Sequence, residues 1–228
     1  MGTIWPMPRT ARAAAGNWCY HVLNRGNGRA EVFHKDDDYA AFLALLPPAC
    51  ERLPMRILGW CLMPNHFHLV LWTHEDGDLG RWMQWLLTSH VRRYRRHYGG
   101  SGHVWQGRFK AFPIQQDEHL LTVLRYVERN PLRANFVKRA EAWRWSSLAS
   151  RLAPQPSELL TTCPDPLPRD WCERVNRAPS EAEVAALRRS VDRGTPFGSD
   201  HWTRLAAKRL GLESTLRPRG RPKKGEKK

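Results

Sequence analysis

The stretch Met55-Arg56-Ile57-Leu58-Gly59-Trp60-Cys61-Leu62-Met63-Pro64-Asn65-His66-Phe67-His68-Leu69-Val70-Leu71-Trp72-Thr73 decides the fold. Met55–Leu62 and His66–Thr73 each have the length and apolar content of a strand. Only Met63-Pro64-Asn65 separates them, and so short a connection favours an antiparallel pair. Upstream, Trp18–Asn24 reads as another strand, stopped by the turn cluster Arg25-Gly26-Asn27-Gly28. A helical pattern then runs from Asp36 through Tyr39, Phe42, Leu43 and Leu46, where Pro47-Pro48 should break it. Downstream, Leu79, Trp82, Met83, Leu86, Leu87, Val91, Tyr94 and Tyr98 recur at the three-and-four spacing of a buried helical stripe. Gly99-Gly100-Ser101-Gly102 ends that helix. His103–Ile114 is a further strand region, and Asp117 is placed to cap a helix through Leu120, Leu121, Leu124 and Val127. Strand, helix, strand, strand, helix, strand, helix predicts an α+β fold, an antiparallel sheet with helices on one face.

Beyond Trp143-Arg144-Trp145 the texture changes. Pro154, Pro156, Pro164, Pro166 and Pro168 mark an irregular connection. Ser180 and Glu183 form a capping box for a helix that Gly194 closes, and a short helix from Asp200 to Leu210 follows. Arg217–Lys228 is rich in Pro, Gly, Lys and Arg and reads as a mobile basic tail. The expected organisation is a domain over residues 1–150, a Pro-rich connection with a helical extension over 151–214, and the tail over 215–228.

The 228 residues carry 37 Lys+Arg against 22 Asp+Glu, a net charge of +15. Such a balance points to a polyanionic partner, nucleic acid first, although a ribosomal or anionic membrane surface would also suit it. With 41% hydrophobic residues and 11 tryptophans the chain can bury a core, which rules out wholesale disorder. No apolar run approaches the ~18–20 residues of a membrane span, and Met1–Gly16 lacks a signal-peptide segment. Cys19, Cys50, Cys61, Cys163 and Cys172 form no CxxC pair, so reduced thiols in a cytoplasm fit better than disulfides or a zinc site.

His66 and His68 are two apart on a strand, so both imidazoles emerge on one face and Phe67 on the other. That is half a metal site, and by the spacing alone it is more simply the polar solvent face of a half-exposed strand. On the helix after Asp117, with Leu124 at zero and about 100° per residue, Tyr126 falls at about 200°, Asn130 at about 240° and Arg133 at about 180°. A phenol, an amide and a guanidinium could converge there. Tyr126 could also be an amphipathic border residue, and Asn130-Pro131 could open a new short helix. Arg92, Arg93, Arg95 and Arg96, interleaved with Tyr94 and Tyr98, suit a single-strand groove or a solvated helix end.

These residues combine into a resemblance. Tyr20-His21-Val22-Leu23-Asn24-Arg25-Gly26, Met63-Pro64-Asn65-His66-Phe67-His68-Leu69-Val70, Trp105-Gln106-Gly107-Arg108-Phe109 and Arg125-Tyr126-Val127-Glu128-Arg129-Asn130-Pro131-Leu132-Arg133-Ala134 occur in the order seen in single-tyrosine HUH transposases. The chain most resembles their REP-associated tyrosine transposase branch, which Trp143-Arg144-Trp145-Ser146-Ser147 and the tail also resemble. The resemblance implies a ferredoxin-like domain that cleaves and rejoins single-stranded DNA through a 5′-phosphotyrosine. It makes Tyr126 the nucleophile and His66 and His68 metal ligands. Asn130 becomes a third ligand, where related insertion-sequence transposases usually carry Gln. It implies Mg²⁺ or Mn²⁺, although two imidazoles would also suit Zn²⁺. The implied partner is a hairpin with single-stranded flanks from palindromic repeats, met by Arg92, Arg93, Arg95, Arg96, Arg108 and Arg133. Arg219 and Arg221 would join them from an AT-hook-like tail. A cytoplasmic, nucleoid-associated bacterial protein, monomeric or homodimeric and without membrane contact, is expected. The alternatives are a non-catalytic DNA-binding regulator on the same scaffold and a nuclease that uses water.

Overall fold

The computed structural model describes residues 15–217. The basic tail beyond Arg217, with Arg219 and Arg221, lies outside the described residues.

Four strands form one antiparallel sheet: β1 (Cys19–Arg25), β2 (Arg56–Met63), β3 (His66–Trp72) and β4 (Lys110–Ile114), in the order β2-β3-β1-β4. The Pro64-Asn65 turn makes β2 and β3 adjacent, with Met63 opposite His66. β1 enters between β3 and β4, with Leu23 opposite His68 and Arg25 opposite His66. Of the expected His103–Ile114 strand region, Lys110–Ile114 forms the strand, while Trp105 makes an isolated antiparallel bridge to Gly26.

Alternation along the strands sends side chains into two cores. Tyr20, Val22, Trp60, Leu62, Phe67, Leu69 and Leu71 meet α1 (Asp36–Leu43), α2 (Leu46–Arg52) and α3 (Asp78–Tyr98) on one face. These helices connect β1 to β2 and β3 to β4, the ferredoxin-like arrangement that the resemblance implies. The pattern over Asp36–Leu46 is broken earlier than expected. α1 ends at Leu43, and Pro47-Pro48 lie in the first turn of α2, where their missing N–H groups cost nothing.

The opposite face is covered too, which the expectation of helices on one face did not include. Cys19, Leu58, Cys61, Met63, Val70, Phe112 and Ile114 pack against α4 (Glu118–Glu128). Asp117 caps α4 by accepting from the His119 N–H at 3.0 Å. The short α5 (Asn130–Arg133) follows, with Pro131 in its first turn. α6 (Ser147–Leu152), α7 (Trp171–Asn176) and α8 (Glu181–Arg193) add Leu148, Trp171, Val175 and Leu187 to the same core. The Ser180–Glu183 capping box and the left-handed Gly194 bound α8 as expected. α9 (Asp200–Arg209) supplies Ala207 to the first core, and a 3-10 turn at Glu213–Thr215 follows it.

C-terminal segments also occupy both sheet edges. Leu160 bridges Ile57 and Ser146 bridges Cys61 along β2, while Phe197 bridges Ile114 along β4. Covered edges cannot recruit a foreign strand. All five cysteines are unpaired. Among the described residues no helix is long and apolar enough to cross a membrane.

Candidate active site

β3 places His66 and His68 on the face that carries α4, while Phe67 enters the opposite core. Each imidazole has its Nδ1 engaged by the protein. Asn65 donates its amide to the Arg29 carbonyl at 3.1 Å, which turns its Oδ1 toward His66 Nδ1 at 2.6 Å. His66 Nδ1 therefore carries the proton and its Nε2 keeps a lone pair. His68 Nδ1 lies 2.8 Å from Nε2 of His21, a fully buried histidine of β1. Neither His66 Nε2 nor His68 Nε2 has a hydrogen-bond partner among the described residues, and the rings of His66 and His68 sit 5.0 Å apart. Burial, then the Arg25 and Arg133 guanidiniums, push His66 down to about 4. Burial, followed by the neighbouring histidines and arginines, holds His68 well below its ordinary value. Both imidazoles are thus neutral at physiological pH, the form that binds metal.

α4 brings Tyr126 to this face, its ring 6.0 Å from that of His68 and 6.4 Å from that of His21. Tyr126 is only 8% exposed, deeper than a border residue, and its hydroxyl has no hydrogen-bond partner among the described residues. The Arg133 guanidinium stands 5.4 Å from the Tyr126 ring centre and donates to Asn130 Oδ1 at 2.8 Å. The Asn130 amide nitrogen donates back to the Tyr126 carbonyl at 3.0 Å. The Arg133 guanidinium thus approaches both the Tyr126 ring and the Asn130 oxygen, whereas the Asn130 amide bonds the backbone of Tyr126 and not its phenol.

Glu128, which sequence reasoning did not single out, anchors the helix that carries the tyrosine. It is fully buried; Oε1 accepts from Ser147 at 2.6 Å and from Arg151 at 3.0 Å, and Oε2 from Trp171 at 2.7 Å.

The basic residues separate. Asn24, Arg25, Gln106, Arg108, Lys110 and Arg193 line one groove, beside the site because Arg25 faces His66 across the ladder. Arg193 comes from the C-terminal extension and was not anticipated. The four arginines of α3 do not share a groove: Arg93 and Arg96 line a cleft with Tyr94 and Tyr98, and Arg92 lines another with Arg52 and Arg81. Arg95 instead donates to the carbonyls of Gly99, Ser101 and Gly102, closing its own helix end. Tyr94 Oη pairs with His34 at 3.0 Å, and Tyr98 donates to Asp38 at 2.7 Å.

Asp117, Glu118 and His119 hold three potential ligand atoms within 4.8 Å. Asp117 is spent there on capping α4 and on His119 Nδ1 at 2.8 Å.

The description "transposase IS200 like" belongs to a family model that matches residues 14–130, the span that holds His66, His68, Tyr126 and Asn130. The chain belongs to the IS200-like transposase family. Among relatives of this family, a REP-associated tyrosine transposase of Escherichia coli K12 is 27% identical over 135 residues, 58% of this chain and 76% of the relative. A Haemophilus influenzae protein that provisionally carries the same name is 28% identical over 117 residues, 46% of this chain. The chain spans 66% of that relative's length. A solved REP-associated tyrosine transposase bound to a REP hairpin shares the fold, with a TM-score of 0.52 and 20% identity over 66% of this chain and 91% of that one. The resemblance read from the sequence motifs is thereby borne out.

Proposed function

We propose that this chain cleaves and rejoins single-stranded DNA at hairpin-bearing repeats, with Tyr126 as nucleophile and a divalent cation, Mg²⁺ or Mn²⁺, held by His66 and His68. One observation carries the reading. Two neutral imidazoles, each with Nδ1 engaged and Nε2 unpartnered, face the same side as a tyrosine whose hydroxyl is unpartnered. That donor set fits a cation that takes nitrogen ligands. Asn130 supplies a third donor if its oxygen serves the cation as well as Arg133.

The chain's own groups divide the work. Arg25 and Arg133 sit close enough to depress the histidines, so they present positive charge to a phosphate entering beside them. The groove lined by Arg108, Lys110 and Arg193 continues that charge for the flanking strand. Burial of the Tyr126 ring against His21 and His68 limits its motion and keeps the phenol aimed at one point. Tyr126 Oη attacks phosphorus in line. The Tyr126 O–P bond forms, the P–O3′ bond breaks, the phenol proton leaves and the released 3′ oxygen gains one. The product is a 5′-phosphotyrosine and a free 3′-OH, and attack by another 3′-OH reverses the step onto a new partner. A bound cation supplies Lewis-acid polarisation of a non-bridging phosphate oxygen.

The test is incubation with an end-labelled hairpin carrying single-stranded flanks, in Mg²⁺ or Mn²⁺ and in excess chelator. A denaturant-resistant adduct that the chelator suppresses is expected. Tight binding without an adduct would favour a non-catalytic regulator. Cutting without an adduct would favour a water nucleophile.

A further inference from the structure

We infer that His21 is a positioning residue that accepts the Nδ1 proton of His68 and so leaves the Nε2 of His68 free for a divalent cation. The inference rests on the metal site proposed above. His21 lies on β1, two residues from Leu23, the ladder partner of His68, so the two rings meet diagonally across neighbouring strands of one face. They are 2.8 Å apart between His21 Nε2 and His68 Nδ1, and their centres are 5.0 Å apart. His21 is fully buried and His68 is 3% exposed, so water does not compete for that contact.

One proton lies between the two nitrogens, and its position decides whether His68 can act as a ligand. On His68 Nδ1, it leaves a lone pair on His68 Nε2. On His21 Nε2, it forces the His68 proton onto Nε2, where coordination is blocked. Asn65 does for His66 by an amide oxygen what His21 does for His68 by a ring nitrogen. Such outer partners fix the tautomer and the orientation of metal-binding imidazoles. A histidine is a costly choice for this task, because His21 Nδ1 is buried without a hydrogen-bond partner among the described residues. A purely packing role against Phe112, 4.8 Å away, would be filled at less cost by an apolar ring.

The experiment compares Mn²⁺ binding, by titration calorimetry without DNA, in the full-length wild type and in His21→Phe, His21→Gln and His68→Ala. Phe keeps a planar ring and removes the acceptor, while Gln restores an acceptor oxygen. We expect His21→Phe to weaken Mn²⁺ binding about 10–100-fold and His21→Gln to recover most of it. Long-range ¹H–¹⁵N spectra of the Mg²⁺-loaded wild type should place the shared proton on His68 Nδ1. Wild-type affinity in a folded His21→Phe protein overturns the inference, as does an equal loss in Phe and Gln, or a shared proton on His21. If His21→Phe does not fold, His21→Leu takes its place in the same comparison. A wild type that binds no Mn²⁺ overturns the metal site and this inference together. A wild type whose binding is lost in His68→Ala and kept in His21→Phe overturns this inference alone.

Discussion

At the scale of single residues, the site divides by how its members reach it. His66 and His68 were legible because their common face follows from the two-residue period of one strand, and the structure keeps them on the α4 side of β3. Tyr126, Asn130 and Arg133 were legible because helical spacing is local. His21 was not, since its meeting with His68 depends on the pairing of β1 with β3, which no local pattern encodes. Its one trace in the sequence is an imidazole in an otherwise apolar stretch of strand. Arg95 shows the reverse: a cation in a basic cluster that serves its own helix end. On the proposal that the two imidazoles hold one cation, His66→Ala or His68→Ala should each suppress hairpin cleavage far more than hairpin binding, with partial rescue at high Mn²⁺. Parallel gel-shift and cleavage assays check this, and equal losses in the two assays would contradict it.

At the scale of elements, the position of Tyr126 depends on how α4 is seated. Gly59 of β2 lets it approach, since a methyl group there would meet Leu124 at 2.7 Å. Glu128 then ties α4 to α6 through Ser147 and Arg151 and to α7 through Trp171. Its burial had a sequence signal, because Glu128 turns only about 40° from Leu124 and so falls within the apolar stripe. A carboxylate in that stripe needs buried partners, and those lie up to 43 residues away. The two-sided cover of the sheet was hidden for a related reason: a helix pattern gives its apolar face, but not the face of the sheet it meets. Glu128→Ala strands Arg151, whose side chain is only 15% exposed, and should cost about 3–5 kcal/mol. Urea denaturation measures this, and a loss under about 1 kcal/mol would show that the network does not hold α4.

At the scale of the whole molecule, the C-terminal segments complete the domain by covering both sheet edges and joining both cores. Composition foretold a substantial core, and it pointed to a polyanionic partner, but it could not foretell that closure, because edge pairing by Leu160 and Phe197 has no sequence period. The finished fold buries histidines that the unfolded chain exposes. Burial pushes His21 down to about 3 and His90 to about 4, and holds His68 well below its ordinary value. In the unfolded chain each titrates near 6.5. Between about pH 6.5 and 4 the unfolded state therefore takes up protons that the folded state refuses, so stability is full above that window and falls as pH drops through it. The urea midpoint should decline from pH 7 to pH 4.5, and a flat midpoint would contradict the buried neutral histidines. Everything proposed for this site turns on Tyr126 being the group that takes the DNA. The most direct measurement is mass-spectrometric mapping of the adduct formed with a flanked hairpin in Mn²⁺, together with the same reaction in Tyr126→Phe. A phosphodeoxynucleotide on the Tyr126 peptide alone and no adduct in the variant are expected, with hairpin binding retained. An adduct on any other residue, or one that persists in Tyr126→Phe, would contradict it.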